Sequence, residues 1–69
     1  MSLTDREEEI IRLIAVKGLT MRRAAQTMGI SEVTAQLHVK HLRAKLGART
    51  SVHAAYLWLL SKANEEVTS

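Results

Sequence analysis

The sequence predicts an all-α fold of four helices, at about 4–17, 21–28, 32–46 and 51–64, in one domain covering residues 1–69. Three observations carry that prediction. Proline is absent and glycine scarce, while Ala, Leu, Ile and charged residues dominate, a composition that favours helices over strands. Apolar residues recur three and four apart rather than in alternation. Each segment also opens on a Ser or Thr, and the first three close on a glycine, the ordinary start and stop signals of helices.

The first segment starts at Thr4, where Thr4 and Glu7 have capping-box spacing and Asp5 adds charge that suits the helix dipole. Leu3 is placed to pack just before the cap. Ile10, Leu13 and Ile14 form its buried stripe, widened by Ile11, and Gly18 stops it after Lys17. The glutamates Glu7, Glu8 and Glu9 read as helix-start chemistry and a solvated face, because no partner residues for catalysis or metal binding accompany them. The second segment is capped by Thr20 and turns Met21, Ala24, Ala25 and Met28 inward, leaving Arg22, Arg23 and Gln26 outside. Gly29 and Ile30 make a tight corner, and Ser31 caps the third segment. A short helix, a glycine turn and a longer basic helix over 20–47 is the plan of a helix-turn-helix, whose second helix enters the major groove of DNA.

In the third segment Ala35, Val39, Leu42 and Leu46 repeat at i, i+4, i+7 and i+11 and form one buried stripe. Rotation by about 100° per residue puts Val33, Leu37, Lys40 and Ala44 opposite, flanked by Gln36 and His41. That outer stripe suits a DNA groove. Gln pairs bidentately with adenine, Lys reaches guanine or phosphate, and Val or Leu meets a thymine methyl. The other reading left open is a weak protein-binding face. His38 borders the buried stripe and reads as a packing residue, His41 as lying at or near phosphate, and His53 as exposed. The spacing of His38 and His41 would admit a metal, but without Cys or a carboxylate pair no metal or other cofactor is expected.

The fourth segment, capped by Thr50 or Ser51, is apolar on two sides. Val52, Ala55, Tyr56, Leu59, Leu60 and Ala63 are expected to close the core, which leaves Ala54, Leu57, Trp58 and Ser61 for an interface with a second copy. A fold of Trp58 back onto its own core is the alternative. Residues 65–69 read as a frayed tail. Oligomerisation is also expected on size, since 69 residues without Cys have neither a large core nor a disulfide to hold it.

The net charge of +3 is modest but unevenly placed. Asp5, Glu7, Glu8 and Glu9 crowd the first turn, whereas Lys17, Arg22, Arg23, Lys40, Arg43, Lys45 and Arg49 face only Glu32 in the middle of the chain. The positive charge therefore coincides with the helix-turn-helix, where phosphate contacts need it. In that setting Arg22 and Arg23 are read as clamping the backbone rather than as mere surface charge.

These residues resemble the LuxR-type helix-turn-helix, also called FixJ- or NarL-type, over 3–55. The resemblance rests on Leu3-Thr4-x-Arg6-Glu7-x-Glu9-Ile10, Ala15-x-x-Gly18, Gly29-Ile30-Ser31-x-x-Thr34, His38 and Lys45-Leu46-Gly47. His38-Val39-Lys40-His41 is similar to the nitrate-responsive branch. The resemblance implies a four-helix DNA-binding domain that dimerises through its last helix, with Gln36, Leu37 and Lys40 facing bases. It also implies phosphate contacts from Ser31, Thr34, Arg22, Arg43, Lys45 and Arg49, which Thr20, Arg23 and His41 complete. The chain departs from the family pattern at Met21-Arg22-Arg23-Ala24, usually Asn-Lys-Glu-Ile, and at Ala35-Gln36, usually Val-Lys. Those changes alter the expected base preference and leave room in the core near Ala24 and Ala35, to be filled by Met21 and Met28.

The function expected is a sequence-specific transcriptional regulator that binds double-stranded DNA as a homodimer and carries no enzymatic activity, since no nucleophile, base and orienting group occur together. Family members usually carry a receiver or ligand-sensing domain, and these residues hold none. The sequence thus reads as a stand-alone regulator or as the DNA-binding portion of a longer one. The alternative is an interaction protein that pairs with related regulators through 51–64 and blocks them; a sigma-factor-like promoter module fits the His38 and Lys45-Leu46-Gly47 matches less well. With no apolar run long enough to span a membrane and no signal-peptide pattern, a cytoplasmic, nucleoid-associated location is expected.

Overall fold

The computed structural model describes residues 2–68, with side chains described through Glu65. Four α-helices succeed one another: α1 (Asp5–Ala15), α2 (Met21–Met28), α3 (Glu32–Leu46) and α4 (Ser51–Thr68). A side-chain hydroxyl caps each of them. Thr4 Oγ1 accepts from the Glu7 amide at 3.2 Å, Thr20 from Arg23 at 3.2 Å, Ser31 from Thr34 at 3.1 Å and Thr50 from His53 at 3.0 Å. At α1 the box is reciprocal, because the Thr4 amide donates to Glu7 Oε1 at 2.9 Å.

Two glycines shape the corner helices. Gly29 (φ 70°) and Gly47 (φ 71°) are left-handed, which lets Ile30 donate back to the Ala25 carbonyl at 3.0 Å and Ala48 to that of Arg43 at 2.8 Å. Nothing lies within 4 Å of where a Cβ would stand at either position, so the backbone angle alone requires glycine there. α1 ends earlier than its pattern predicts, at Ala15 rather than Lys17. Left-handed Gly18 turns the chain, and the Leu19 amide closes the end on the Leu13 carbonyl at 3.2 Å.

α4 runs longer than predicted. It continues through the 65–68 stretch expected to fray, while Ser69 lies outside the described residues. No glycine or proline comes after Thr50 to stop it, and Lys62 pairs with Glu65 at 3.5 Å along the helix.

The core joins Ile10 and Ile11 of α1, Ala24, Ala25 and Met28 of α2, Ala35, Val39 and Leu42 of α3, and Ala54 and Trp58 of α4. Leu3, Met21, Ile30, Leu46 and Ala48 pack around it, half-buried. α1 and α3 form the centre: α2 packs on both, and so does α4. The small residues Ala24, Ala25 and Ala35 are each no more than 2% exposed, so α2 and α3 can approach closely.

The large residues of α4 take the opposite sides from the sequence expectation, while Ala55 packs against the core as expected. Ala54 is fully buried and Trp58 is 3% exposed, whereas Val52, Tyr56, Leu59 and Leu60 are exposed. Leu57 is half-buried and Ser61 exposed. Periodicity could not choose between two apolar faces; volume did. With four alanines in the core, the larger of the chain's two aromatic side chains is needed inside. Its polar edge is also provided for. Trp58 Nε1 donates to Glu8 Oε2 at 3.1 Å, and Arg12 and Lys62 lie 5.3 and 5.6 Å from the ring centroid.

Candidate nucleic-acid interface

Both helices of the α2–turn–α3 unit carry exposed residues. Its α3 portion holds Val33, 68% exposed, and Leu37, 49% exposed, together with Gln36, Lys40, His41 and Ala44. These are the outward positions expected from helical rotation, and Ala35, Val39 and Leu42 hold the opposite side of the helix in the core. Large apolar side chains kept in water on the same stripe as Gln36 and Lys40 are unfavourable in the free protein. A partner that dries Val33 and Leu37 while offering acceptors to Gln36 and Lys40 resolves that cost, and a major groove does both.

Around this stripe the basic groups divide into two kinds. Arg22 and Arg23 at the start of α2, Lys40 on α3 and Arg49 after it have exposed side chains. Arg43 and Lys45, in the last turn of α3, are half-buried and turned to internal uses. Arg43 Nη2 donates to the Arg49 carbonyl, and its Nε is enclosed with no acceptor among the described residues. Lys45 Nζ lies 2.7 Å from Glu7 Oε1. Exposed Glu32, in the first turn of α3, suits the helix dipole but opposes a phosphate at that point.

Two of the hydroxyls expected to meet phosphate, those of Thr20 and Ser31, are first of all caps. Ser31 Oγ accepts from the Thr34 amide and donates to Thr34 Oγ1 at 2.9 Å, which commits its proton. The hydroxyl protons of Thr34 and of exposed Thr20 remain available as donors, since both oxygens act as acceptors in their own bonds. His38 is half-buried beside the core stripe, and His53 is exposed, with its Nδ1 accepting from the Arg49 amide at 3.3 Å.

Sequence reasoning missed what the first turn of α1 does. Glu7 is 3% exposed and reaches across to α3; Glu8 takes the Trp58 indole and pairs with Lys62 at 3.6 Å. Neither belongs to a merely solvated face. Burial pushes the Glu7 carboxyl up, but the Lys45 and Thr4 hydrogen bonds and the Lys45 charge outweigh it and hold it below the usual range. Among the described residues no three His, Asp or Glu side chains converge as a metal site would require, and no helix is long and apolar enough to cross a membrane.

A glycine-cornered helix pair with an exposed, mixed-polarity second helix defines a helix-turn-helix domain of the DNA-binding, transcription-regulating class. The chain belongs to the family described as bacterial regulatory proteins, luxR family, which it matches over residues 1–58. It is 40% identical over 57 residues to the nitrate/nitrite response regulator protein NarL of Escherichia coli K12, covering 83% of this chain and 26% of that protein. It is 45% identical over 49 residues to the transcriptional regulatory protein MctR of Rhizobium johnstonii, covering 71% and 22% respectively. The nitrate/nitrite response regulator protein NarP of E. coli K12 is 37% identical over 57 residues, 83% of this chain and 26% of that protein. The chain thus spans about a quarter of the length of these curated relatives. No solved structure is a significant match.

Proposed function

We propose that this domain binds operator DNA as a dimer, with α3 in the major groove, and so regulates transcription. The observation that carries the reading is the exposed α3 stripe of Val33, Gln36, Leu37 and Lys40, flanked by Arg22 and Arg23. Gln36, Leu37, Lys40 and Val33 contact bases. Arg22, Arg23, His41 and Arg49 contact phosphates, with hydroxyl donors from Thr20 and Thr34. The names of the relatives, two nitrate/nitrite response regulators and a transcriptional regulatory protein, support the same role.

Self-association runs through α4 by its exposed stripe. Val52, Tyr56, Leu59 and Leu60 recur at i, i+4, i+7 and i+8 and are 77, 59, 43 and 44% exposed, a pattern that calls for a covering helix. A second copy supplies an identical stripe and gives a two-fold pair suited to a palindromic site. The same stripe is what a heterodimer with a related regulator would use.

Duplex titration over a series of salt concentrations tests the reading. The wild type should bind with a steep salt slope, and an Arg22→Ala/Arg23→Ala variant should lose about 1.8 from that slope, at roughly 0.9 per phosphate contact. Absence of duplex binding together with tight association to a related regulator would replace this function with the blocking one.

A further inference from the structure

One contact ties the start of α1 to the end of α3. Glu7 is fixed first by its own helix, since its carboxylate accepts the Thr4 amide at 2.9 Å while its amide donates to Thr4 Oγ1. The carboxylate cannot follow a moving partner without breaking that cap. Lys45 therefore comes to Glu7, reaching it at 2.7 Å with 34% of its side chain exposed against 4% for Glu7. Swinging Lys45 out to a phosphate would leave a charge buried and unpaired, which is strongly unfavourable. Lys45 lies in the last turn of α3, just before the Gly47 cap, and Gln36, Leu37 and Lys40 ride on the same helix. The core stripe of Ala35, Val39 and Leu42 sets which side of α3 faces inward. To that packing a charged hydrogen bond at one end of the helix adds a directional restraint on rotation and sliding.

We propose that Lys45 is a positioning residue rather than a phosphate ligand: bound to the buried Glu7 carboxylate, it fixes α3 against α1 in the orientation at which Gln36, Leu37 and Lys40 address the groove. This rests on the reading of α3 as the DNA-contacting helix. It also gives the α1 cap a role in recognition.

The sign of one substitution decides it. Glu7→Gln keeps the cap acceptor and removes the charge. Wild type, Glu7→Gln, Lys45→Met and the double variant are titrated with a duplex recovered from a random pool, over a salt series, at a temperature where circular dichroism shows each folded. Each single variant should bind roughly 2- to 30-fold more weakly with the wild-type salt slope, and the double no worse than the weaker single. If Lys45 instead holds a phosphate, Glu7→Gln tightens binding and Lys45→Met lowers the slope by about 0.9. That result overturns the proposal. So does unchanged affinity in Glu7→Gln with a lowered melting temperature, which makes the pair structural only. Should Glu7→Gln fail to fold, the slope of Lys45→Met decides alone. A wild type without salt-dependent duplex binding fails at the earlier step, removing the DNA-binding reading and this inference with it.

Discussion

Replacing Trp58 by alanine should unfold the domain rather than simply separate one copy from another. The indole is 3% exposed, belongs to one core with Ile10, Ile11 and Leu42, and donates to Glu8 at 3.1 Å. Truncating a buried aromatic to alanine costs about 3–5 kcal/mol, and the lost hydrogen bond adds about 0.5–1.5 kcal/mol. Glu8 keeps Lys62, so no stranded charge enlarges the loss. A domain of 69 residues has a total stability of about 3–10 kcal/mol, at roughly 0.05–0.15 per residue. The two quantities are comparable. Urea titration monitored by circular dichroism, at a protein concentration where the wild type sediments as a monomer, should show the midpoint lowered by half or more, or no cooperative transition. Leu60→Asp, on the exposed stripe, should melt close to wild type under those conditions and fail to self-associate at higher concentration. A Trp58→Ala variant that keeps the wild-type midpoint but no longer self-associates would refute the reasoning and return the indole to an interface between copies.

Two more outcomes are expected from the geometry. The Glu7 carboxyl is held below its ordinary value in the folded state, so its contribution is present above the unfolded value of about 4.3 and is lost as pH falls through the lower, folded value. Urea midpoints measured from pH 7 downward should fall more steeply in acid for wild type than for Glu7→Gln, and parallel curves would mean the ion pair contributes no linkage. Gln36→Ala should change which sequences a random-pool selection recovers more than it changes affinity for a scrambled duplex; uniform weakening on both would argue against base readout at Gln36.

Most of the fold was legible because its signals are local. Thr4, Thr20, Ser31 and Thr50 are caps within three residues of the amides they bind, and Gly29 and Gly47 mark corners by a backbone angle only glycine takes easily. The inner and outer sides of α3 came from helical rotation alone. What stayed hidden was the pairing between distant elements. Glu7 and Lys45 are 38 residues apart and Glu8 and Trp58 are 50 apart, and no spacing rule joins residues at such distances. A signal for Trp58 did exist in composition. A core with alanine at three of its α2 and α3 positions needs bulk from elsewhere, and the chain has one tryptophan to offer. For Arg43 and Lys45 no such signal is present, since a basic residue in the last turn of a helix has the same local reason to be there whether it faces DNA, a carbonyl or a carboxylate.

The enclosure of Trp58 also makes the domain its own reporter. As the only indole in the chain, set between Arg12 and Lys62 at the α1–α4 junction, it is the sole source of tryptophan fluorescence. Its emission maximum and its shielding from iodide therefore track the closing of that junction. Occupation of the α3 surface should leave the signal nearly silent, as should association through the exposed Tyr56 on the opposite side of α4. The single indole thus separates the inward event of folding from the outward events of binding and association, without any label.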